Sequence, residues 1–442
     1  MNRKTLLFIV LSFLSTFAVY GQVTEFGIGA DSYPIIRSLP SKANLIVTKG
    51  TSGNDVFILH TDNQPVAQSF ELYPGVKVHD VRIWNNEYAY FCGTYEPLDR
   101  GIVGRFNIAD VFNGTGNISL GAFDWVDSGF IKASDLKRLE LYKLGTTAGM
   151  AMVGDAVFNS LNPEPTTTVA SAYFDGANWQ LCTYKRKPDT VRFTDIACLD
   201  NIIVAVGSDT SGAGCFVKTF FSAANFPLYP CMPGEFVRIL YGNPVGDVLV
   251  KKTLRDTAVI AHLDNTLGTR TVFHKVPVDQ ITGIPTITAL TWVTATAPSV
   301  ISSQRVWELA TLGNTAYLLQ NAPLPSAPPT TNHCWIAHCS LTPAPTTTLY
   351  AHNPTYDRAC SMDLDVDIAK PRIACQSPYL LTYGTQWNAS TGNCSVFTTT
   401  LLERVYPEKR KHKMPEFAYT HSFTIPYTPF IEPIPATIIC SE

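Results

Sequence analysis

The run "HCWIAHC", residues 333–339, places two histidines and two cysteines close together, and these residue types hold zinc. Side chains on a strand alternate faces, so His333, Trp335 and Cys339 point one way and Cys334 and His338 the other. Ligands on opposite faces cannot close one tetrahedral site, and the run is read as structural. A second run, "DLDVDIAK" (363–370), sets Asp363, Asp365 and Asp367 at alternate positions, a spacing of carboxylates that suits calcium. The glycine and later acid of a calcium loop are missing, because Ile368, Ala369 and Lys370 follow. The residues therefore read as an acidic strand edge and no cofactor is expected, with calcium the single candidate. In "YFDGANW" (173–179) an Asp-Gly pair favours a tight turn, with Trp179 beside it as a packing anchor. No nucleophile elbow, phosphate-binding loop, dinucleotide fingerprint or HExxH helix is written anywhere in the chain.

The elements that would position such residues begin after a leader. "MNRK" is basic, Thr5 to Val19 is an apolar run, and Gly21 supplies a small residue, which is the order of a secretory signal peptide over 1–21. The mature chain, 22–442, reads as one exported domain without a transmembrane segment, placed in the periplasm, at the cell surface or outside the cell. Its 11 cysteines make disulfides compatible with that compartment, and the odd number leaves at least one thiol over. Charged residues make up 16% of the chain and the formal charge is −3, which excludes a polyanion-binding surface and hence nucleic acid as partner. The one basic run, "EKRKHK" (408–413), lies between Pro407 and Pro415 and reads as a solvated loop. With 30 prolines and 28 glycines spread along the chain, short alternating runs of Val, Ile, Thr, Tyr and Phe indicate many short strands.

One phrase recurs: a strand, a turn and a second strand, as in "IIVAVGSDTSGAGCFVKTF" (202–220). The residues ending the first strand of each copy are Gly50, Gly93, Gly154, Gly207, His262, Gln320 and Gln376, separated by 43 to 61 residues. Most copies follow a leading element that pairs an acid with an apolar residue: "HDVRIWNN", "RLELYKLG", "TDIACLDN" and "WELATLGN". Each copy is thus an antiparallel meander, with room for a fourth strand. Such meanders cannot bury their faces alone, and radial packing leaves no long edge open. The fold is read as an all-β β-propeller, with seven blades preferred and six or eight compatible, rather than a tandem of β-sandwiches. The chain end, 421–442, is expected to complete the first copy's blade.

At the level of class, the chain resembles exported bacterial β-propeller repeat proteins, over most of its mature length and by periodicity. "YFDGANW" also resembles the aspartate box of sialidase propellers, but is one residue short and occurs once. Function is read as non-enzymatic binding or scaffolding, directed at a glycan or protein through loops on one face. The irregular inserts 94–101, 161–168, 321–332 and 377–391 connect the same two strands of their copies, with Tyr95, Tyr379, Tyr383 and Trp387 as aromatic anchors. Cys375 and Cys394 fall across the hairpin of the last copy and form the expected disulfide. The alternative is a carbohydrate-active hydrolase or lyase with its site at the central channel. Convergence of carboxylates, His or Arg there would favour that alternative.

Overall fold

A computed structural model describes the strands and many of their connections between residues 23 and 402. Outside the description lie 1–22, 27–34, 40–42, 51, 62–67, 124–130, 159–164, 184–190, 201, 210–214, 223–230, 240–243, 265–269, 287, 290–304, 313–314, 324–331, 342–346, 352–358, 366–378, 389–392 and 403–442. The leader, the basic run and the chain end all fall there, as do Asp367, Cys375 and Gln376. No described helix is long and apolar enough to cross a membrane.

After β1 (Val23–Phe26), the first sheet comprises β2 (Ile35–Leu39), β3 (Ala43–Lys49), β4 (Asp55–Thr61) and β5 (Gln68–Glu71). The second holds β6 (Val76–Trp84), β7 (Tyr88–Tyr95), β8 (Arg100–Asn107) and β9 (Ser119–Ala122). In the third are β10 (Ile131–Leu144), β11 (Thr147–Phe158), β12 (Pro165–Phe174) and β13 (Trp179–Thr183). Next come β14 (Val191–Cys198), β15 (Ile202–Asp209), β16 (Cys215–Ser222) and β17 (Cys231–Ile239). The fifth sheet has β18 (Pro244–Leu254), β19 (Thr257–Asp264), β20 (Arg270–Pro277) and β21 (Thr288–Ala289). A sixth is built of β22 (Arg305–Leu312), β23 (Thr315–Pro323), β24 (Asn332–Ser340) and β25 (Thr347–Ala351). The last runs β26 (Ala359–Asp365), β27 (Tyr379–Asn388) and β28 (Asn393–Leu402), then returns to β1.

Among the described residues there are thus seven four-stranded antiparallel sheets. The leading strand of each touches that of the next, from β2 through β6, β10, β14, β18 and β22 to β26, and β26 touches β2 again. A closed ring of meanders around its leading strands is a β-propeller. Each apolar core lies between two neighbouring sheets. Phe57, Phe91, Phe106 and Phe70 interlock between the first and second. Val204, Val206, Val217, Val250, Ile260 and Val276 do the same between the fourth and fifth.

The recurring glycine has a steric cause. In the second, third and fourth sheets the leading strand carries an extra residue, a β-bulge, at His79, Lys137 and Thr194, and the third has another at Ser134. Gly93, Gly154 and Gly207 pair with the residues just before these bulges, Val78, Leu136 and Phe193. A Cβ on Gly93 would stand 1.8 Å from the Lys77 carbonyl oxygen. On Gly154 and Gly207 it would stand 2.0 Å from those of Asp135 and Arg192. Gln320 keeps the same position opposite Val306. His262 instead meets His274 of β20, their Nε2 atoms 3.2 Å apart and both side chains buried.

Two expectations are corrected. In the last sheet the residue opposite the bulge is Gly384, paired with Ala359, so the marker of that copy is Gly384 and not Gln376. The first sheet takes its leading strand from Ile35–Leu39, and the seam is closed by the N-terminal β1 pairing with β28.

Candidate functional site

The leading strands surround the axis, and the residues following their bulges are charged: Asp80, Arg138, Asp195 and Glu308. Two positions beyond the first two of these stand Arg82 and Glu140, β18 adds Lys251, and β2 adds Arg37. The leading elements read in the sequence as acid beside apolar residue are therefore the strands that carry charge to the centre.

These side chains neutralise one another. An oxygen of Asp80 accepts from Arg37 at 2.6 Å, from Arg82 at 2.7 Å and from the Val81 amide at 2.8 Å. Its other oxygen accepts the Leu139 amide of the next sheet at 3.0 Å. Glu308 lies 3.6 Å from Arg37, 3.7 Å from Arg82 and 3.4 Å from Arg138. Lys251 donates to Glu140 at 2.5 Å, and Asp195 accepts the Val250 amide at 2.8 Å. Asp80 is 0% exposed and Arg37 3%. Buried charges persist only when paired in this way.

The network splits its carboxyl groups. Burial drives Asp80 toward the neutral acid, but Arg82, Arg37 and Arg138 outweigh it and hold the group at about 2. Glu140 is likewise held down against burial by Lys251 and Arg82. Around Asp195 burial prevails over Arg138 and the Val250 and Ile196 amides, and the carboxyl is pushed up to about 6. The axis thus contains ionised carboxylates beside one carboxyl that titrates near neutrality. Carboxylates and guanidinium groups do converge at the channel, but largely on each other.

The anchors expected on one face are distributed differently. Tyr95 ends β7, is half-buried, and packs into the core between the first two sheets. The insert placed at 377–391 is mostly strand, since β27 runs Tyr379–Asn388. Tyr379 pairs with Leu402 at one end of β27 and Trp387 with Cys394 at the other, with Tyr383 between. At about 3.4 Å per residue the ends are some 27 Å apart, so Tyr379 and Trp387 do not share a face of the disc. The inserts 161–168 and 321–332 also shrink, because β12 begins at Pro165 and β23 extends to Pro323. Cys394 lies opposite Phe26 and Trp387, while its expected partner Cys375 is outside the described residues.

Other expectations can be placed directly. Trp179 packs between sheets as expected: it fills the space a Cβ on Gly121 would need, and its indole donates to the Ser119 carbonyl at 3.4 Å. Asp175 holds the turn before it by accepting the Ala177 and Asn178 amides. No cluster of three or more metal-ligating side chains occurs among the described residues. Asp363 and Asp365 lie on β26, the leading strand and one edge of its sheet.

On the face reached by the β7–β8 turn, the sequence reading missed an apolar pair. Tyr73 is 67% exposed and Leu98 50%, on two turns joined by the Glu96 amide donating to the Gly75 carbonyl at 2.9 Å. Isolated apolar residues in loops carry no sequence signal of their own.

No family model matches the chain, and no curated protein matches it. Solved structures similar to it include a protein from Lactobacillus plantarum, at 12% identity and a TM-score of 0.46, covering 85% of this chain and 96% of that one. The β-propeller domain of the Trilobed protease from Pyrococcus furiosus has 9% identity and a TM-score of 0.44, with 85% and 99% covered. The WD40 domain of SCAP from fission yeast has 11% identity and a TM-score of 0.39, with 86% and 96% covered. At such identities and scores these likenesses say nothing about activity.

Proposed function

We propose that this chain is an exported binding or scaffold protein that recognises a glycan or protein on one face of the disc, without catalysis. The observation that carries the reading is the axis. Asp80, Glu308, Arg37 and Arg82 are spent on one another in a buried network, so a ligand entering there would have to break ion pairs. Recognition is left to the loops, and Tyr73 and Leu98 supply exposed apolar surface on the face toward which Trp387 also lies. Substituting Tyr73→Ser and Leu98→Ser together tests this. Binding to a glycan array and chemical cross-linking to envelope proteins on intact cells should both be compared with wild type. Loss of signal at an unchanged Tm supports the reading. Unchanged signal with the double variant, or turnover of any array glycan by the wild type, overturns it.

One observation favours the alternative, a hydrolase or lyase at the channel. A carboxyl near 6, as at Asp195, is what a general acid requires, and the ionised Asp80 and Glu140 in the same network complete the contrast of protonation states. Release of reducing sugar from a polysaccharide panel, abolished by Asp195→Asn, would establish that reading.

A further inference from the structure

Arg105, near the end of β8, is held by aromatic rings rather than by acids. Its guanidinium carbon lies 4.5 Å from the centre of the Tyr88 ring, 5.6 Å from Tyr90 and 4.7 Å from Phe174. Tyr88 and Tyr90 belong to β7 of the same sheet, whereas Phe174 ends β12 of the next, so the cation sits on the seam between two sheets. Trp179 meets Phe174 edge to face at 5.5 Å and backs the cluster. The origin is local: Arg105 pairs across the ladder with Tyr90, one diagonal step from Tyr88, and Phe174 reaches it from the turn held by Asp175.

Among the described residues no carboxylate lies within ion-pair distance of Arg105 and no acceptor takes its hydrogen bonds. None of its nitrogens is sealed off without a partner, and the side chain is half-buried. This contrasts with the axis, where Arg37, Arg82 and Arg138 are each engaged by carboxylates. A guanidinium fixed by rings keeps all its donors in plane and loses little freedom when an oxyanion arrives.

We infer that Arg105, with Tyr88 and Phe174, forms a subsite for the carboxylate of an acidic saccharide. The carboxylate accepts two parallel hydrogen bonds from the guanidinium, and the sugar ring rests against the aromatic edge of the seam. The turns before β7 and after β12 are at this end of the strands, opposite to Leu98 and hence on the other face of the disc. The inference therefore stands apart from the reading of the Tyr73 and Leu98 face.

The test is titration calorimetry with a uronic-acid disaccharide, its neutral glucose counterpart and acetate as separate probes. Wild type should bind the uronate with a Kd in the range of about 0.1–1 mM, and bind the neutral sugar and acetate at least about tenfold more weakly. Arg105→Met should abolish uronate binding. Arg105→Lys, which keeps the charge over the rings but loses the fork, should weaken it at least about tenfold while the fold remains intact by circular dichroism. Equal binding of acetate and uronate overturns the saccharide assignment, and wild-type affinity in the Lys variant overturns the role of the fork. No uronate binding by wild type at about 10 mM overturns the subsite.

Discussion

Asp80→Asn removes one charge from the axis while keeping the side chain's shape. The native carboxylate receives four donors on two oxygens: Arg37 at 2.6 Å, Arg82 at 2.7 Å, and the Val81 and Leu139 amides at 2.8 and 3.0 Å. An asparagine offers one oxygen, so its NH2 group must face donors whichever way it is turned. Two guanidinium groups then remain buried beside a neutral partner, and removing one member of such a pair costs about 3–5 kcal/mol. With an unfolding entropy near 2.1 cal/mol/K per residue, a chain of this size should melt roughly 3–5 °C lower. Scanning calorimetry and guanidinium titration at pH 7 measure the loss directly. Adding Arg82→Met should restore part of it by removing one stranded charge. A loss below about 1 kcal/mol, the scale of an exposed ion pair, would show that water reaches the network and would refute the account of the axis.

Stability against pH should show two opposing windows. The carboxyl of Asp80, about 2 in the fold against 3.8 unfolded, contributes stability that is full above 3.8 and lost as pH falls through 2. Asp195, about 6 against 3.8, works the other way: the fold is disfavoured above 6 and recovers as pH falls from 6 to 3.8. Asp195→Asn should flatten denaturation midpoints between pH 4 and 7, and an unchanged slope would contradict the burial argument. Gly93→Ala should destabilise by about 2 kcal/mol or more, because its Cβ meets the Lys77 carbonyl. Gly145→Ala, with open space around it and φ of +60°, should cost only the left-handed strain of about 1–2 kcal/mol. Cys92 and Cys339 are buried, and burial pushes both thiol pKa values up, that of Cys339 to about 12. Neither should react with a thiol reagent until the protein unfolds, as mass mapping of labelled peptides will show.

The architecture was legible where a steric demand repeats. The carbonyl two residues before each bulge, turned against the neighbouring strand, forces glycine at 93, 154 and 207, and that glycine is what the eye picks out of each phrase. The last copy was misaligned because "PRIACQSPY" imitates the phrase, while the true equivalent, Gly384, lies inside "LLTYGTQW". The axis was half legible. An acid in each leading element was visible, but a bulge shifts the alternation of side chains by one, and ring closure brings Glu308 to Arg37 and Arg82 from opposite ends of the chain. Neither effect is written in local sequence. The insert at 377–391 was misread for a related reason: Tyr379, Tyr383 and Trp387 follow chain with prolines at 371 and 378 that reads as loop, yet their four-residue spacing equally suits one face of a strand.

The pairing of β1 with β28 sets an order of assembly. Each of the first six sheets uses strands that leave the ribosome one after another and can pair locally. The seventh must wait, because Phe26 is made near the beginning and its partner Cys394 near the end. Joining chain segments that far apart costs about 5 kcal/mol of loop entropy if the intervening residues are unstructured, and far less once six sheets have drawn the ends together. Folding should therefore finish at the seam, and β28 presents a bare edge until β1 arrives. A chain lacking Val23–Phe26 would keep that edge for good and recruit a strand from a neighbour, turning a closed disc into a polymerising one.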